Sequence, residues 1–177
     1  MVENGKASGS STTTGKIFER EADVVSSLER NSKLTKKKGK FKTQFILCED
    51  GVDVGIFMIS HDLYKFMDDI KISYKGVLSK KLLPDGFLVN YKTGSIYIIE
   101  KKFQKGPGSV DEKLQTCDFK RRQYLKLFGN TEFKRIEYVY LLNDWFKQEC
   151  YSDTLQYINE VGCHYFFNEI PAEFLGF

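Results

Sequence analysis

The segment from Leu83 to Phe103 constrains the chain more than any other. Two runs of alternating, β-branched-rich residues, 83–90 and 95–103, flank the turn sequence Tyr91-Lys92-Thr93-Gly94, a pattern that predicts a β-hairpin. Both faces of this hairpin are apolar. Phe87, Val89, Ile96 and Ile98 fall on one side, and Leu88, Tyr97 and Ile99 on the other. A sheet with two apolar faces has to be covered on both. The expected fold is therefore α/β, a three-layer α/β/α sandwich around a central mixed sheet.

The flanking segments fit that frame. Ile17, Phe18, Ala22, Val24, Val25 and Leu28 share one arc of a helical wheel, which predicts a helix over 16–29. Residues 1–15 are rich in Gly, Ser and Thr and read as a flexible leader. The remainder, 16–177, is expected to form a single domain, because 177 residues with 41% hydrophobic content fill one core. A basic run, Lys36, Lys37, Lys38, Lys40 and Lys42, leads into segments of undetermined type up to Leu82. After the hairpin, Gly106-Pro107-Gly108 breaks the strand, and Ser109 with Glu112 makes a capping box that opens a helix over 109–128. A strand at 136–142, a helix at 152–161 and a short strand at 163–168 complete a ββαβαβ order.

Composition narrows the function classes. A net charge of +3 does not describe a protein that coats any polyanion. Four cysteines without a CxxC pair and two histidines have no zinc-site spacing. They fit a reduced, cytoplasmic setting, and no apolar run is long enough to cross a bilayer.

The chemistry gathers at one end of the hairpin. With the turn centred on Lys92 and Thr93, cross-strand partners have numbers summing to about 185, give or take one for a bulge. Asp85 then faces Glu100, on the same side of the sheet as Phe87 and Ile98. Like charges opposed on a half-buried face destabilise it unless they share a proton or bind a cation. Lys102, two residues beyond Glu100, projects from that same side. Oxygen ligands at this spacing suit Mg²⁺, with the Lys101 carbonyl as a further donor, and a phosphodiester is the natural substrate of such an ion. Lys102 is expected to hold or deprotonate the attacking water, or to stabilise charge on the phosphorane-like transition state.

Pro84-Asp85, fourteen residues, then Glu100-Lys101-Lys102 resembles the PD-(D/E)xK nuclease motif, and the ββαβαβ order is similar to that family's core. The resemblance implies a restriction endonuclease-like fold and Mg²⁺-dependent cleavage of double-stranded DNA, with Asp85, Glu100 and Lys101 holding the metal. Many members add an acid from the first helix. By wheel position Glu21 lies within the apolar arc and is preferred, whereas a resolvase-type Gly-x-x-x-Glu-Arg-Glu pattern over Gly15 to Glu21 points to Glu19. Gln104, Lys113, Lys38 and Lys40 are candidate DNA contacts, and the cluster Lys120, Arg121, Arg122 and Lys126 is a further basic run. The favoured expectation is a type II restriction-like homodimer, since one site cuts one strand. A structure-selective nuclease such as a Holliday-junction resolvase, or a non-catalytic DNA-binding module of the same fold, stands as the alternative.

Overall fold

The computed structural model describes residues 23–106 and 108–177, apart from the side chain of residue 111. The expected leader and the first part of the expected first helix, with Glu19 and Glu21, lie outside the described residues. Within them the chain is mixed α/β, built on one seven-stranded sheet whose strands follow one another in sequence order.

Helix α1 (Val24–Asn31) begins at Asp23, whose side chain accepts from Val25 N, and it runs two residues past the expected end. Strands β1 (Leu34–Lys38), β2 (Phe45–Glu49) and β3 (Val52–Met58) then form an antiparallel meander. The basic run is thus partly an edge strand, in which exposed lysines discourage pairing with another chain. Helix α2 (Asp62–Asp69) returns from β3, so the segment 42–82, of undetermined type in the sequence, builds sheet and helix.

The hairpin consists of β4 (Gly86–Asn90) and β5 (Ser95–Lys102), paired in the expected register, Phe87 with Ile98 and Val89 with Ile96. Its faces divide as expected. Phe87, Val89, Ile96 and Ile98 join one core cluster with residues of α2, with α4 (Cys117–Phe128) and with Ile158 of α5 (Ser152–Glu160). Leu88, Tyr97 and Ile99 join a second with α1 and the C-terminal residues Ile170, Ala172 and Leu175. Phe87, Leu88, Val89, Ile96, Ile98 and Ile99 are wholly shielded from solvent. At about 1.5–3 kcal/mol for each buried side chain, this burial holds the hairpin firmly within the sheet.

Strands β6 (Arg135–Leu142) and β7 (His164–Phe167) add in parallel to β5 and to each other. The helix expected over 109–128 is divided into α3 (Val110–Leu114) and α4, and Ser109 makes no side-chain cap bond. The capping box is therefore not formed. Instead the Tyr140 hydroxyl donates to the Lys113 and Leu114 carbonyls at 3.2 Å, tying the end of α3 to β6. Lys113 consequently stands in the last turn of a short helix, where a cation complements the dipole, and not near the start of a long one.

Candidate active site

The sheet delivers its chemistry at one end. Glu100 and Lys102 leave β5 on the Ile98 side, and Asp85 stands just before β4, opposite Glu100 by continuation of the register. Pro84 O accepts from Ser60 N at 2.9 Å, which fixes the approach to Asp85. One carboxylate oxygen of Asp85 accepts from Lys101 N at 2.9 Å, so the backbone of β5 itself orients that acid.

The two carboxylates converge on an ammonium group. Lys102 Nζ lies 2.9 Å from Glu100 Oε2, 3.1 Å from the Lys101 carbonyl and 3.7 Å from Asp85 Oδ2. These are the three oxygens expected to hold an ion, and they surround one point of positive charge. A second cation, absent from the sequence reading as a member of the site, comes from α4: Lys120 Nζ is 3.3 Å from Glu100 Oε2. No local pattern identifies it, because its place depends on how α4 crosses the sheet. The repulsion between Asp85 and Glu100 is thus offset by two lysines.

The environment is asymmetric. Glu100 keeps only 10% of its side-chain surface, whereas Asp85 keeps 45% and opens onto the surface. Even so, burial pushes the Asp85 carboxyl above its ordinary range; Lys102 pulls it down and the charge of Glu100 raises it again. Beneath them the rings of Tyr124 and Tyr138 lie 6.3 Å apart, and neither buried hydroxyl has a partner among the described residues. Burial first, and the nearby Glu100 charge second, hold both phenols neutral.

The donor set fits a small hard cation. Carboxylate and carbonyl oxygens are the ligands Mg²⁺ takes, and the convergence of all three on the Lys102 ammonium marks a place where positive charge is stabilised. Asp85, Glu100 and the Lys101 carbonyl are the groups that would hold it. Among the described residues no group of three or more His, Cys, Asp or Glu side chains is placed to bind a metal, so a site here depends on the backbone oxygen and on water.

The remaining candidates among the described residues lie at the same end. Lys38 is paired with Phe45, Phe45 with Phe57 and Phe57 with Leu88, so Lys38 lies three strands, roughly 14 Å, across the sheet from Asp85 and roughly 10 Å along it. Lys40 sits in the following turn, ion-paired with Asp69. Lys113 is exposed. Gln104 is buried and turned inward, its Nε2 donating to the Gly106 carbonyl at 2.8 Å and to the Gly108 carbonyl at 3.3 Å, so it shapes the loop that follows β5. On the other face a cleft of about 740 Å³ opens beside Asp85 and Lys101, walled by Phe45, Phe57, Ile59 and Leu83.

Comparison of the chain with protein-family models, with curated proteins and with solved structures returns no match.

Proposed function

We propose that this protein is a Mg²⁺-dependent endonuclease of the PD-(D/E)xK type, acting on double-stranded DNA. The observation that carries the proposal is the convergence of Asp85 Oδ2, Glu100 Oε2 and the Lys101 carbonyl on a single cationic point at the end of a rigid hairpin. Helices against one side of the sheet, with α1 and the C-terminal segment against the other, support a three-layer α/β/α sandwich of the restriction endonuclease-like kind.

A bound Mg²⁺ supplies Lewis acidity to the phosphate and acidifies a water molecule. The protein's own groups do the rest. Asp85, oriented by Lys101 N, and Glu100, fixed within the core, present oxygens that an ion would take over from the Lys102 and Lys120 ammonium groups beside them. Lys102 holds its ammonium beside both acids and is placed to orient the attacking water and to carry charge as the phosphodiester P–O bond breaks. Each site cuts one strand, so cleavage of a duplex requires a homodimer or two successive encounters.

The test is nicking of supercoiled plasmid by wild type and Asp85→Ala, with Mg²⁺ and with EDTA. Wild type should nick only with Mg²⁺ and the variant not at all. Equal activity in both proteins, or none from wild type with Mg²⁺ or Mn²⁺, removes the reading.

A further inference from the structure

Of the basic cluster on α4, Lys120 alone reaches the carboxylates. Arg122 is bonded to Asp118 one turn away, the Arg121 guanidinium lies toward Gly162, and Lys126 lines a separate cavity with Phe133. Lys120 is set on the helix between Cys117 and Tyr124, both buried against the sheet. That anchoring directs its stem along the sheet and brings its ammonium to the site's rim.

Lys102 and Lys120 share Glu100 Oε2, at 2.9 and 3.3 Å, but their surroundings differ. Lys102 is 17% exposed, donates to Glu100 Oε2 and to the Lys101 carbonyl, and has Asp85 Oδ2 at ion-pair distance. Lys120 is 27% exposed, and among the described residues its only ion pair is with Glu100. It keeps donors to spare on the open side. The four charged groups sum to zero, so the site has no net attraction for an anion while Glu100 neutralises Lys120. Any cation that takes over Glu100 changes that balance and leaves Lys120 to the nearest negative group.

We propose that Lys120 is a phosphate-holding residue, which Glu100 keeps in position in the DNA-free protein and which grips a non-bridging oxygen of the DNA backbone when DNA is bound. The inference rests on the nuclease reading and gives the two lysines separate tasks: Lys102 serves the reacting centre, and Lys120 serves binding.

The test measures binding of a short duplex by fluorescence anisotropy in Ca²⁺ over a range of salt, for wild type, Lys120→Ala, Lys120→Arg and Lys102→Ala, with plasmid nicking in Mg²⁺ alongside. Lys120→Ala should bind about tenfold more weakly, the loss of one charge-assisted bond. The slope of log affinity against log salt should shrink by about 0.9, the signature of one lost phosphate contact. Lys120→Arg should restore both, and Lys102→Ala should bind as wild type does. Thermal melting identifies any variant that fails to fold, and Lys120→Gln then replaces the alanine. If wild type nicks and neither neutral variant alters the salt slope, the role of Lys120 is overturned while the nuclease reading stands. If wild type does not nick but the slope still falls and is restored by arginine, the catalytic reading is lost and the phosphate contact is upheld.

Discussion

Gln104 and Asn143 exchange a reciprocal pair of hydrogen bonds. Gln104 N donates to Asn143 Oδ1 at 3.1 Å, and Asn143 Nδ2 donates to the Gln104 carbonyl at 2.9 Å. Asn143 N also donates to the Lys102 carbonyl at 3.4 Å, so one residue beyond β6 secures the backbone on which Lys102 stands. Asn143→Ala should lose about 1–3 kcal/mol in urea unfolding, from two bonds of ordinary strength. It should also speed amide exchange at Gln104. An unchanged exchange rate there would show that the pair does not restrain the strand end.

Lys102→Ala should lower Mg²⁺-dependent cleavage by about 10²–10⁴-fold, the range of a positioned proton-transfer group. Binding in Ca²⁺ should be retained. A variant that loses binding in step with cleavage would move Lys102 from the reacting centre to DNA attachment.

Glu137 offers a pH readout away from the site. Its carboxylate lies 2.9 Å from His164 Nε2 and 2.8 Å from Arg135 Nε. The bond to His164 is the largest influence; burial opposes it and Arg135 reinforces it, bringing the carboxyl down to about 2. A depressed carboxyl contributes stability above its unfolded value, about 4.3, and that contribution is lost as pH falls toward the folded one. Glu137→Gln should therefore be less stable than wild type near pH 7, by about 1–3 kcal/mol. The gap should narrow as the pH is lowered from about 4.3 toward 2. Parallel stability curves for the two proteins across that range would contradict the pairing.

Gly55 is required by close approach, not by backbone conformation. A Cβ there would meet the Val89 carbonyl oxygen at 2.5 Å and the Phe177 ring at 3.3 Å. Gly55→Ala should cost about 1–3 kcal/mol or more, because backbone in mid-sheet cannot yield as a side chain can. Chemical denaturation would measure it, and a neutral result would mean that β3 and β4 slide apart without penalty.

The hairpin was legible because two independent signals agreed. The four-residue turn set the register, and the apolar alternation assigned the faces, so Asp85, Glu100 and Lys102 could be brought together from their numbers alone. The structure does join them. Other parts depended on contacts that no local pattern encodes. Lys36, Lys37 and Lys38 read only as a basic run because an edge strand need not alternate when its side chains are mostly exposed. The pairing of Ser109 with Glu112 suited a capping box, yet the helix it would open ends at Leu114, where Tyr140 takes up its last carbonyls. Gln104 reads from the sequence as a candidate DNA contact, and only the fold of the following glycines turns it inward. Lys120 joins the site through helix packing, which is a tertiary fact.

The unbroken succession of strands from β1 to β7 bears on how the molecule comes into being. Each strand pairs with the one before it in sequence, so every pairing in the sheet joins neighbours along the chain. The acids face each other across a single four-residue turn, whereas Lys120 arrives on a helix that packs against β6. The centre is accordingly begun by one local hairpin and completed only with the next strand, which brings Asn143 against the Lys102 carbonyl.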